Sequence, residues 1–158
     1  MAEETSAAIV ASISVTYPKL TRIASGHFCT TYYDCARLHG SDLARLAAEA
    51  TGHLADDSFD VAVGLAYGGI AFAASIAGGK FLAILQTDGV IWGPSVKGRK
   101  VLIVDDVVCA GRRIADATEK LSGMGAIVVG SAAIIDRSNG SVGTPERPLW
   151  SAYQTSLV

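Results

Sequence analysis

An α/β protein built around a parallel sheet is the fold this sequence predicts, and three observations predict it. From residue 60 to residue 135, apolar β-like runs alternate with helix-like runs, the pattern of βαβ units. The runs are continuously apolar, as strands covered on both faces are. Glycine-bearing or acidic segments follow them, at the strand ends where open parallel sheets bind ligands. The chain of 158 residues, 50% hydrophobic and 18% charged, is expected to form one domain over residues 1–158. It can bury a substantial core and is too apolar to stay disordered.

The elements follow in order. Residues 3–15 are rich in Ala and Ser and predict a helix. Pro18 is expected to end it, because proline removes a backbone donor and restricts its predecessor. Ser25-Gly26 signals a turn, and Thr30-Thr31-Tyr32-Tyr33 a short strand. Ser41-Asp42 is expected to cap a helix reaching about His53, with Leu43, Leu46, Ala47 and Leu54 on one face. Asp60–Ala66 then reads as a strand, Gly69–Ala77 as a helix and Phe81–Gln86 as a strand. Val101–Asp105 is a stronger strand, four aliphatics running into two acids. Arg113–Ser122 reads as a helix, with Ile114, Ala117 and Leu121 at helical spacing, and Ala126–Ile135 as a further apolar strand.

Composition excludes several classes. Lys and Arg total 13 against 15 Asp and Glu, a net charge of -2, which argues against nucleic acid or an anionic membrane as partner. Val61–Gly79 carries no charge but holds five glycines and few large aliphatics, so it reads as a buried strand–loop–helix rather than a membrane span. Cys29, Cys35 and Cys109 are odd in number and form no C-x-x-C pair, which disfavours a disulfide scaffold or a Cys-only zinc site. His27, His39 and His53 show no metal-ligand spacing. The acidic start, Met1-Ala-Glu-Glu-Thr, is unlike a signal peptide, and a cytoplasmic location is expected.

Two strand exits carry the chemistry. Val101-Leu-Ile-Val-Asp-Asp-Val-Val-Cys-Ala-Gly-Arg-Arg delivers adjacent carboxylates and then a loop that opens a helix. Carboxylates there can accept hydrogen bonds from sugar hydroxyls or help place a metal, and loop N–H groups can hold a phosphate. Solvated acids at a strand end are the plainer alternative. No G-x-x-x-x-G-K-[ST] occurs, which removes the usual P-loop nucleotidase. The second exit is Asp60-Val-Ala-Val-Gly-Leu-Ala-Tyr-Gly-Gly-Ile, where glycines permit close backbone approach to a ligand. They could equally serve helix–strand packing.

Together these stretches resemble the type I phosphoribosyltransferase family, and most of all its orotate branch. Val101–Arg113 resembles the family's hydrophobic-strand, Asp-Asp, phosphate-loop signature, and Gly64–Ile70 its pyrophosphate loop. Ser25-Gly26 with Thr31-Tyr32-Tyr33-Asp34, and Ile135-Asp136-Arg137, are similar to further segments of the orotate enzymes, in consistent order over residues 18–140. The resemblance implies a central parallel sheet flanked by helices, with a small N-terminal hood. It implies transfer of phosphoribosyl between phosphoribosyl pyrophosphate and a pyrimidine-like base, with Mg2+ accompanying the pyrophosphate and a homodimer as the assembly. It implies that Asp105 and Asp106 are the catalytic pair and bind the ribose hydroxyls. Cys109, Ala110, Gly111, Arg112 and Arg113 would hold the 5′-phosphate. Ala66, Tyr67, Gly68 and Gly69 would face the pyrophosphate, and Arg137 would lie near the base.

The sequence also departs from the family pattern. The phosphate loop, usually Thr-Thr-Gly-Gly followed by Thr or Ser, is Cys109-Ala110-Gly111-Arg112-Arg113. Hydroxyls are replaced by guanidinium groups, which bind phosphate in a bidentate manner. Cys109 beside a helix start is a position where a thiol can be acidified. Leu85-Gln86 and Ala24 stand where the orotate enzymes carry Arg-Lys and Lys. The stretch Asp88–Lys97 is short, with one cation where the family's mobile loop carries several. Weak pyrophosphate binding and slow turnover follow as expectations. Two alternatives therefore remain: a catalytically impaired relative that binds a nucleotide or ribose phosphate as sensor or partner subunit, and a specialised-pathway enzyme acting on another base.

Overall fold

The computed structural model describes residues 5–23 and 26–157. The chain begins with helix α1 (Ser6–Ser12), whose first turn is capped by the Thr5 hydroxyl accepting from the Ala8 N–H at 3.2 Å. The helix does not run to residue 15, and Pro18 does not end it. Strand β1 (Ser14–Arg22) starts two residues later and contains Pro18. It pairs antiparallel with β2 (Phe28–Tyr33), and the ladder is irregular between Thr16 and Thr21, around the proline. A missing N–H is tolerated at such an irregularity in a two-stranded ribbon. This ribbon is the hood. Ala24 and Ser25, which figure in the sequence comparison, lie outside the described residues, and only Gly26 of the Ser-Gly turn is described.

A 3-10 turn (Cys35–Arg37) leads into α2 (Gly40–Thr51). Its N-cap is His39 rather than Ser41, and Asp42 acts from the third helical position by accepting the His39 N–H at 3.2 Å. The core alternation then follows as β3 (Val61–Leu65), α3 (Ile70–Ala77), β4 (Phe81–Leu85), β5 (Ile91–Trp92), β6 (Lys100–Val108), α4 (Arg112–Gly123), β7 (Ile127–Asp136) and β8 (Leu149–Gln154). The six-stranded sheet has the order β5-β4-β3-β6-β7-β8. All its neighbours are parallel except the short edge strand β5.

Side chains alternate across the sheet, as strand geometry requires. Ala62, Leu102, Val104, Ala132 and Ile134 pack with α1, α2 and α3 on one face. Val61, Val63, Val101, Ile103 and Ala133 pack with Ile114, Ala117 and Leu121 of α4 on the other. Both faces are covered, which explains the uninterrupted apolar runs. No helix among the described residues is long and apolar enough to cross a membrane.

The order of the strands positions the site. From β3 the chain crosses to β4 on one side, and β6 then pairs with β3 on the other. The carboxyl ends of β3 and β6 therefore flank a topological switch point, where an open α/β sheet leaves a crevice.

Candidate active site

β6 is longer than its aliphatic run suggests. It continues through both acids to Val108, so Asp105 and Asp106 lie within the strand and not in a loop beyond it. Alternation separates them. Asp105 is 1% exposed, whereas Asp106 is half-buried and lines a cleft of about 430 Å3. The plainer alternative, solvated acids at a strand end, therefore fails for Asp105. Its Oδ1 accepts the Asp106 N–H at 3.0 Å and an Arg113 N–H at 3.2 Å. Burial is the largest influence on this carboxyl and the Asp106 charge the next; together they push its pKa up to about 7, while Arg113 pulls the other way.

The cleft is enclosed by three elements and by Arg137 after β7. The hood contributes Ile23, His27, Tyr32 and Tyr33; the β6 exit contributes Asp106 to Cys109; the start of α4 contributes Gly111 to Ile114. Gly111 makes the turn into α4 possible. Its φ is +78°, and a Cβ there would lie 2.5 Å from a Val142 methyl. Arg112 follows it on the cleft wall, exposed and without an ion pair among the described residues. Ala110 lies outside this cleft, on the groove beside α4 and the 141–144 loop.

Arg113 turns away from its neighbour. Its Nη2 donates to the Ala66 carbonyl at 2.7 Å and its Nη1 to Asp105, tying the exits of β3 and β6 together. The turn after β3 reaches the acids directly, for a Cβ on Gly68 would lie 2.3 Å from Asp106 Oδ2. Ala66 and Gly69 are buried there, and the Tyr67 ring is 74% exposed. The Ala66–Tyr67 peptide is cis.

Arg137 lines the cleft but is 3% exposed and heavily engaged. It donates to Thr31 O at 2.7 Å, Ser156 O at 3.1 and 3.2 Å, and Leu157 O at 3.0 Å. Its guanidinium also lies 5.2 Å from the Tyr33 ring centre. Its donors tie the hood to the segment after β8, which limits what they offer a ligand. Cys109 is not acidified: burial raises its thiol, with Arg137 opposing. Burial likewise pushes Cys35 up to about 12. Neither thiol has the low pKa that marks a reactive cysteine. Composition did not single out the hood residues Ile23 and His27 as cleft lining; the hairpin signal at residues 21–33 was the available clue.

The sheet presents an acid pair at a switch point, opposite a glycine turn and under a hood. Comparison with known proteins gives the family of this fold. The phosphoribosyl transferase domain profile matches residues 86–144. An orotate phosphoribosyltransferase of Pelotomaculum thermopropionicum is 32% identical over 130 residues, covering 77% of this chain and 68% of that protein. One of Methanospirillum hungatei is also 32% identical, covering 75% and 74%. Among solved structures, the orotate phosphoribosyltransferase of Aeropyrum pernix superposes with a TM-score of 0.76 at 26% identity, over 95% of this chain and 94% of that one. The Mycobacterium tuberculosis enzyme in complex with 5-phospho-α-D-ribosyl 1-diphosphate gives 0.73 at 25% identity, over 94% and 93%. The chain belongs to the type I phosphoribosyltransferase family. Within it, the chain is related to the orotate phosphoribosyltransferases.

Proposed function

We propose that this protein transfers a phosphoribosyl group between phosphoribosyl pyrophosphate and a pyrimidine-like base, in the cleft between the hood and the exit of β6. The observation that carries the reading is Asp106, which lines the cleft with its carboxylate packed against the Gly68 turn and its Oδ1 accepting the Val107 N–H at 2.8 Å. Asp106 accepts hydrogen bonds from the ribose diol, and the buried Asp105 fixes its backbone. Backbone N–H groups from Cys109 to Arg113 and the Arg112 guanidinium hold the 5′-phosphate at the helix start. The turn Ala66–Gly69 faces the pyrophosphate, and Tyr32, Tyr33 and Arg137 form the base end.

Rate enhancement at such a site comes from positioning and from stabilising charge on the departing pyrophosphate. Hard oxygen donors suit Mg2+. The Asp106 carboxylate at the cleft wall fits an ion that arrives on the pyrophosphate oxygens, and the ion would supply neutralisation of the leaving charge. A homodimer and a cytoplasmic setting complete the reading, supported by the kinship to the orotate enzymes.

The test is nucleotide formation from phosphoribosyl pyrophosphate, Mg2+ and orotate or uracil. The expected result is nucleotide product at a rate well below the enzyme median of about 10 s⁻¹, because Asp88–Lys97 supplies one cation. Absence of nucleotide from every pyrimidine base contradicts the transfer.

A further inference from the structure

Cations that the segment after β4 lacks are present on α4. Arg113, Asp116 and Lys120 are spaced three and four residues apart and share a helix face. With Ala66, Gln86 and Thr87 they line a cavity of about 230 Å3 at the exits of β3 and β4. Arg113 lines both this cavity and the cleft. Lys120 lies about two turns along α4 from Arg113. Its ammonium reaches the turn that follows β4, where a Cβ on Gly89 would lie 3.6 Å from Lys120 Nζ.

Both cations have donors to spare. Arg113 engages one N–H of each terminal nitrogen, with Asp105 and Ala66, out of five on the guanidinium. Its side chain is 51% exposed. Lys120 makes no ion pair among the described residues, with Asp116 or any other acid. Asp116 sets one negative charge against these two cations. Gln86 and Thr87, both neutral, also line the cavity.

We propose that this cavity is the diphosphate subsite of the cleft, with Arg113 and Lys120 as its cationic ligands. The inference rests on the function proposed above. A ribose held on Asp106 has the Ala66–Gly69 turn beside it, and Arg113 reaches that turn from the cavity side. A group leaving the ribose over the turn meets the Arg113 guanidinium first and the Lys120 ammonium beyond it. Helix α4 thus supplies charge that the short segment Asp88–Lys97 does not.

Calorimetric titration of the full chain with inorganic pyrophosphate tests this, using wild type, Lys120→Gln and Lys120→Arg, with uridine 5′-monophosphate titrated in parallel. Lys120→Gln should weaken pyrophosphate binding about tenfold, as loss of a charge-assisted contact does. Lys120→Arg should recover most of it. Added salt should weaken wild type more than Lys120→Gln. Uridine monophosphate affinity should stay within about twofold across all three, as for other surface substitutions. Pyrophosphate binding equal in wild type and Lys120→Gln overturns the subsite, and uridine monophosphate binding then leaves the cleft reading intact. If wild type binds neither ligand, the proposed function falls, and the subsite with it.

Discussion

Asp105 carries its carboxyl where water does not reach, and this gives the site a pH dependence of definite sign. Its folded pKa of about 7 lies above its ordinary value of 3.8. The folded protein therefore holds more protons than the unfolded chain between those values, and stability is lost as pH rises through that window. Asparagine keeps the shape and removes the ionisation. Asp105→Asn should be more stable than wild type at about pH 8, by on the order of 2 kcal/mol, with the gain vanishing near pH 4. Urea unfolding at the two pH values measures this. A gain that is constant with pH, or larger at low pH, contradicts the burial argument. Arg113 moderates the same carboxyl from 3.2 Å. One residue therefore both opposes the upward shift of the Asp105 carboxyl and, by the inference above, meets the leaving group. Sequence spacing could place Arg113 at the helix start, but the way a long flexible side chain turns is set by what it finds there, here Asp105 and the Ala66 carbonyl.

At the level of elements, the strands that build the site were legible because their burial is two-sided. β3, β4, β6 and β7 are apolar runs bounded by polar residues or glycine, and the helices between them show apolar spacing. Strand β8 was not legible, because Leu149-Trp-Ser-Ala-Tyr-Gln is an edge strand with mixed side chains and only partial burial. The sequence predicts the α1–β1 boundary too late because proline breaks helices, while the hood is a ribbon that tolerates it. The role of Lys120 was hidden in its distance from any motif, although its seven-residue spacing from Arg113 marks a shared face. Arg137 joins elements that the sequence does not show as neighbours: the end of β7, the hood and the segment after β8. Arg137→Met should destabilise the protein by on the order of 2 kcal/mol, since it removes the shared donor of the part-buried Thr31, Ser156 and Leu157 carbonyls. Limited proteolysis should cut the hood faster in this variant. Unchanged unfolding and unchanged cleavage would show that the hood is held by other contacts.

For the molecule as a whole, strand order matters more than any single motif. The crossing from β3 to β4 and the return to β6 open a crevice beside the acid pair, and the hood covers it. The sheet is covered on both faces, and parallel pairing sets the two exits in register, Gly64 opposite Val104. The acids and the glycine turn then meet without further folding. Calorimetric titration of phosphoribosyl pyrophosphate with Mg2+ into wild type and Asp106→Asn tests this arrangement most directly. Asp106 is half-buried, and asparagine keeps its size and the Oδ1 that accepts the Val107 N–H, so the variant should remain folded. Wild type should bind, and Asp106→Asn should bind more weakly by on the order of 1–3 kcal/mol, the range for hydrogen bonds to a charged group. No binding by wild type, or equal affinity in a folded Asp106→Asn, would contradict the account.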